Sequence, residues 1–189
     1  MQLLNSSTRY GAISQSLHWS VVGLVVLAWG LGLVGDDLPK GAAEAAALFV
    51  HISAGLLVIV LTIIRLLWRV ADKPPLAEKT EYGEWAFAGW IGLGAKLAHL
   101  GLYLLLLAVP LLGIAVQFAR GKGLPVLGLF EIASPWSADR TFARNLKEIH
   151  ELAAHGLMAL AALHAIAALI HHWVFGDRTL TRMLPGMRN

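Results

Sequence analysis

Cysteine is missing from this 189-residue chain. Its absence excludes disulfides, thiolate metal sites and iron–sulfur clusters held by cysteine. Charge is scarce as well: Asp, Glu, Lys and Arg make up 14% of the residues, against roughly 25% in soluble domains. With 57% hydrophobic residues and a mean hydropathy of +0.65, the solvent of this chain is expected to be largely lipid. The net charge is only +3 and no basic run is present, so no nucleic-acid partner is expected. The first apolar run, from Leu17 to Val34, has one arginine before it and ends in GDDLPK without an A-x-A-like site. It reads as a retained span and not as a cleaved leader.

What the sequence does contain is four long apolar segments, at about 13–35, 48–70, 92–119 and 149–175. Each is long enough to cross ~30 Å of hydrocarbon at ~1.5 Å per residue, and in lipid runs of this length satisfy their backbone groups as helices. The expected fold class is all-α: one transmembrane domain over residues 1–189, an integral membrane four-helix bundle. Ala71–Trp90 is polar and proline-bearing and links spans two and three; Arg120–Glu148, punctuated by Pro125 and Pro135, links spans three and four. Arg9, Arg65, Arg69, Lys73, Lys79, Lys96, Arg178, Arg182 and Arg188 fall on one side of this topology. Lys40, Arg120, Lys122, Arg140, Arg144 and Lys147 fall on the other. The bias places both termini in the cytoplasm. Trp19, Trp68, Trp90 and Trp173 lie near span ends, where interfacial aromatics belong.

Histidine is where the chemistry concentrates. The stretch KEIHELAAHGLMALAALHAIAALIHH, Lys147–His172, is greasy yet holds five of them. An ionisable group inside a span is costly and is a functional hypothesis by default. His150 and His164 are 14 residues apart, which on a straight helix is ~21 Å of rise and a return to within about 40° of the same face. Two sites then lie on one face at two depths, the spacing that two stacked haems need. Matching depth across the spans pairs His51 with His150 and His18 with His164, so imidazoles can reach both faces of each iron. Gly55, four after His51, and Ala153, Ala154, Ala161 and Ala165 around the span-four positions supply small gaps for a flat macrocycle, although such residues also serve plain helix packing. His155 lies about 140° around the helix from His150; for it, His99, His171 and His172 the residues by themselves suggest structural or interfacial roles. A histidine-lined metal path remains the competing reading of the set, weakened by the near absence of carboxylates from the spans.

Arg120–Glu148 carries five cations against three carboxylates, a net of +2. Arg144 and Lys147 within it are candidates for contacts to haem propionates, or for a positive mouth that concentrates an anion; they can equally anchor a span end.

The segments RYGAISQSLHW, FVHISAGLLVIVLTIIRLLWR, KLAHLGLYLLLLAVPLLG and LKEIHELAAHGLMALAALHAIAALIHHWVFGDRTLTRMLP cover nearly the whole chain. In these the chain resembles the bacterial cytochrome b561 family of four-span dihaem membrane cytochromes, in particular its superoxide:ubiquinone oxidoreductase type. The resemblance implies a bundle enclosing two haem b groups with irons held by His18, His51, His150 and His164. It places His171 at a quinone pocket as the candidate catalytic residue. It also implies an inner-membrane enzyme that oxidises superoxide on the periplasmic side and reduces ubiquinone. A second reading within the family is a carrier that serves a dehydrogenase or another redox protein. A haem-free channel or metal transporter is the more distant one.

Overall fold

The computed structural model describes residues 2–76 and 88–186. They form α1 (Ala12–Val34), a short 3-10 turn (Gly35–Asp37), α2 (Ala42–Ala71), α3 (Ala88–Ala119), β1 (Leu124–Val126), β2 (Phe130–Ile132) and α4 (Arg140–Trp173). Each of the four long helices contains a stretch long and apolar enough to cross a membrane, and many of their large side chains face outward, Val26, Leu104 and Leu163 among them. In water such exposure would be unfavourable; in lipid it is what a spanning helix presents. The fold is an all-α membrane bundle, to which the two short strands add a hairpin.

Helix ends depart from the expected spans for local reasons. α2 begins at Ala42 instead of about 48, because Ala42–Ala47 is rich in the best helix former and Lys40 pairs with Glu44 at 2.8 Å. α4 begins at Arg140 instead of about 149. The Asp139 carboxylate accepts the Phe142 amide at 2.9 Å, an N-cap, and the Asp139 carbonyl receives the Ala143 amide at 2.9 Å. The linker expected over 120–148 is therefore helical in its last third. At its start the chain leaves α3 through Gly121, whose φ of +68° is left-handed, with amides of Gly121 and Lys122 bonded back to the Phe118 and Gln117 carbonyls. The linker expected over 71–90 falls mostly outside the described residues.

The chain divides into two compact units. One comprises Met1–Trp19, Ile63–Tyr103 and Met158–Asn189. In it both ends of the chain are tied together. The Arg182 side chain, only 9% exposed, donates from Nε to the Thr8 carbonyl at 2.7 Å and from Nη2 to the Leu76 carbonyl at 2.8 Å. The Arg182 carbonyl accepts from Gln15 Nε2, Trp19 Nε1 donates to the Met183 carbonyl, and Arg9 donates to the Leu184 carbonyl. Asn5 binds the Asp72 carboxylate through its amide and the Asp72 carbonyl through its side chain. On the sequence Arg182 counted toward topology; here its guanidinium bridges two stretches of irregular backbone that no helix or sheet would otherwise satisfy. Arg182→Ala leaves both carbonyls short of a charged donor, a loss of about 3 kcal/mol. Thermal unfolding in detergent is expected to fall by several degrees, and Arg182→Lys to restore little of it, because an ammonium cannot reproduce the planar fork.

The other unit comprises Ser20–Thr62 and Leu104–Leu157. It holds α1 from Ser20 to its end, the first two-thirds of α2, the second half of α3, the hairpin and the first half of α4.

Candidate functional site

Two histidines face one another in the second unit. The rings of His51 on α2 and His150 on α4 are 6.0 Å apart between centroids, with planes at 75°. Each has its Nδ1 on a backbone carbonyl of a different helix. His51 Nδ1 is 2.8 Å from the Ala28 carbonyl on α1 and His150 Nδ1 is 2.9 Å from the Val109 carbonyl on α3. A carbonyl can only accept, so both rings carry the proton on Nδ1, which leaves Nε2 as the acceptor nitrogen of each neutral ring. Four residues beyond each carbonyl stands a glycine. A Cβ built on Gly32 would lie 3.5 Å from His51 Cε1, and one on Gly113 would lie 3.2 Å from His150 Cε1. A side chain at i+4 leans back toward the N-terminus over the carbonyl at i. At Gly113 its absence is what lets the His150 ring sit this close to the Val109 carbonyl, whereas at Gly32 a Cβ would make only ordinary contact with His51.

In the first unit His18 on α1, His99 on α3 and His164 on α4 share a neighbourhood with Arg65 on α2. The His99 and His164 rings meet edge to face at 5.2 Å. His18 stacks edge-on to Trp19 at 5.2 Å, and its Nδ1 is buried with no hydrogen-bond partner. A buried imidazole nitrogen left unpaired is costly, and a metal ion or a bound group would satisfy it. The Arg65 guanidinium lies 5.7 Å from the Tyr103 ring centroid, a cation–π distance.

His171 closes the last turn of α4. Its Nδ1 is 2.5 Å from Asp177 Oδ2, and its ring meets Phe175 edge to face at 5.1 Å. Burial pushes the Asp177 carboxyl up, but the hydrogen bonds from His171 and Thr179 outweigh it and hold the group below the ordinary carboxylate value. Asp177 also accepts the Thr179 amide at 2.8 Å through Oδ1, and its own amide donates to the His171 carbonyl at 3.0 Å. A carboxyl whose folded value is depressed stabilises the fold above its unfolded value. That contribution is lost as pH falls through the folded one. In thermal unfolding followed downward from about pH 5 to about pH 3, the native chain is expected to lose more stability than Asp177→Asn, whose amide does not titrate.

The remaining candidates are placed as follows. Gly55 faces Pro110 of α3, whose Cβ would lie 3.6 Å from a Cβ there, an ordinary packing distance. Arg144 is exposed on the first turns of α4, and Lys147 Nζ lies 3.3 Å from Glu151 Oε1. His155 is exposed and accepts from Trp29 Nε1 at 3.3 Å through its Nδ1. His172 lies tilted beside Trp173. Sequence reasoning missed Gly32, Gly113 and Asp177. The pattern that could have revealed the glycines is a carbonyl-bearing residue followed four positions later by Gly, on the helices that face the two histidines.

Imidazoles brought together on helices that can span a bilayer point to a class: a membrane protein whose histidines could hold a metal-centred cofactor. Comparison with known proteins narrows it. The prokaryotic cytochrome b561 family model matches residues 9–186, and the chain belongs to that family. A probable superoxide oxidase, CybB, of Yersinia pestis is 32% identical over 181 residues, covering 95% of this chain and 98% of the relative. Cytochrome b561 homolog 2 of Escherichia coli is 32% identical over 186 residues, covering 97% and 95%. Cytochrome b562 of Cereibacter sphaeroides is 33% identical over 180 residues, covering 93% and 94%. The protein is thus a multi-pass membrane cytochrome of the electron-transfer kind, and the family implies a b-type haem.

The residues present fit such a group. His51 and His150, whose ring centroids are 6.0 Å apart and whose Nδ1 atoms each lie on a backbone carbonyl, would hold its iron through Nε2, and the group would supply one-electron transfer there. The His99 and His164 rings, 5.2 Å apart, are in edge-to-face contact.

Proposed function

We propose that the protein binds two b haems, one held by His51 and His150 and the other by His18 and His164. It carries electrons across the bacterial inner membrane from superoxide on the periplasmic side to ubiquinone beside His171. Both termini lie in the cytoplasm in this reading. The observation that carries it is the facing of His51 and His150, each with Nδ1 committed to a carbonyl and Nε2 left to ligate. When bound, the haems supply one-electron relay at two depths. Two superoxide anions each give up one electron and leave as dioxygen, while ubiquinone takes two electrons and two protons and becomes the quinol.

The chain's own groups serve the ends of this path. His171 can hydrogen-bond a quinone carbonyl through Nε2 and pass it a proton, and the Asp177 carboxylate fixes its ring by holding Nδ1. Arg120, Arg140, Arg144 and Lys147 make the opposite end positive, which speeds capture of an anion at low salt. Membership of a cytochrome family favours this redox reading over ion transport. The name of the Yersinia relative supports superoxide as donor, whereas the cytochrome b561 homolog and cytochrome b562 names specify no substrate.

The test is to mix purified protein and ubiquinone with a steady source of superoxide. Haem reduction and quinol formation should outrun the uncatalysed control, and the advantage should shrink as ionic strength rises. Reduction no faster than the control would remove superoxide as donor and leave a carrier that depends on a protein partner.

A further inference from the structure

Between α3 and α4 lies a hairpin that the proposed electron path does not use. β1 and β2 pair antiparallel with Leu124 opposite Ile132, Pro125 opposite Glu131 and Val126 opposite Phe130. Opposed residues share a face and alternate ones change face. Leu124, Val126, Phe130 and Ile132 therefore line one face and Glu131 the other, where its carboxylate lies over Gly123. On this face Leu124 is buried, but Phe130 is 60% and Ile132 46% exposed, and Leu129 in the turn is 79% exposed.

The turn itself is unusual. Leu127 has a φ of +52° and Gly128 one of +75°. Two successive left-handed residues suit a tight hairpin, but Asn, Asp or Gly would occupy the first with less strain than leucine. An apolar side chain stands at a position that disfavours it, and from Gly123 to Phe130 no residue is charged.

The tip also sits low along α2. The Gly128 backbone lies against Phe49, so closely that a Cβ there would be 3.4 Å from the ring. Phe49 is two residues before His51, about 3 Å of rise, and α2 continues another seven residues beyond it to Ala42, about 10 Å. The hairpin thus rests beside a helix that runs on past it, at the level of a side chain inside the apolar span. We propose that this hairpin is an interfacial anchor, its apolar face inserted into the lipid leaflet on its own side of the membrane. Leu129 and Phe130 enter the acyl boundary, and Trp136, with Arg120 and Lys122 where the chain leaves α3, lies at headgroup level. Phe49, itself 39% exposed on the apolar helix α2, lies against the hairpin turn at Gly128. That placement beside a helix suited to lipid favours lipid over a protein partner as the occupant.

The absence of native cysteine makes the test clean. Single cysteines at Leu129→Cys and Phe130→Cys, with Val60→Cys in mid-α2 as the lipid reference and Ser137→Cys as the water reference, are labelled with a nitroxide in the full-length haem-loaded protein. The protein is reconstituted in phospholipid nanodiscs. Collision of the label with oxygen and with a water-soluble nickel complex is then compared by power saturation. The proposal expects positions 129 and 130 to follow Val60, oxygen exceeding nickel, with Ser137 reversed. Nickel exceeding oxygen at both tip positions would place the hairpin in water and overturn the anchor. Exclusion of both reagents would mean that protein, a second copy or a partner, covers this face instead of lipid, and would overturn it equally.

Discussion

His150→Ala is expected to remove one haem and leave the other, halving the haem-to-protein ratio of the purified protein. The reason lies in how the site is built. The His150 ring is one of the pair 6.0 Å apart, and its Nδ1 is tied to the Val109 carbonyl at 2.9 Å, which holds the ring in place. His51→Ala should give the same ratio, because its ring is the other half of the 6.0 Å pair. The double variant should lose no more than either single one, since both act on one iron. The remaining haem should keep its spectrum, because His18 and His164 belong to the other compact unit. Pyridine haemochrome titration against protein mass reads the ratio directly, and circular dichroism confirms that the helices persist. A ratio unchanged in both variants would show that these two histidines do not hold a haem.

The glycines facing those rings give the second large effect, with an asymmetry set by distance. A Cβ at position 113 would come 3.2 Å from His150 Cε1, whereas one at position 32 would stand 3.5 Å from His51 Cε1. The first is tighter than an unstrained carbon contact and the second is ordinary contact. Gly113→Ala should therefore tilt His150 off the Val109 carbonyl and lower haem occupancy at this site, and Gly113→Val, with two further carbons, should abolish it. Gly32→Ala should be nearly neutral and Gly32→Val intermediate. Helical content should survive throughout, because removing a helix-interior glycine lowers backbone entropy in the unfolded chain. The same haemochrome ratio, measured across the four variants, checks the order. Equal loss at Gly32→Ala and Gly113→Ala would detach the glycines from the histidines.

Much of this architecture was legible because the bilayer makes simple demands. A chain that must satisfy every backbone group internally shows its spans as long apolar runs, and the four helices appear where those runs are. Their polar ends were harder to read: nothing in a hydropathy pattern announces that Asp139 caps α4 about ten residues before the apolar run begins, or that Ala42–Ala47 extends α2. The hairpin was invisible because its strands are three residues each and its turn places leucine where glycine or asparagine would be the usual signal. Within the site, His51 and His150 followed from periodicity and depth along single helices. Gly32 and Gly113 did not, since their meaning depends on which carbonyl a ring from another helix meets. Gly55 was singled out for its place beside His51 on α2, yet it packs against Pro110. His171 stood out as a polar group at a span end; Asp177, its partner, lies beyond the helix in a turn that only tertiary structure brings back.

The central claim is that imidazoles clasp two irons in one chain. Haem b per polypeptide, measured together with the reduced-minus-oxidised visible spectrum of the purified protein, tests it most directly. The account predicts two haems per chain and the sharp α band of bis-histidine low-spin iron on reduction. A ratio of one or none, or a high-spin spectrum at either haem, would contradict it.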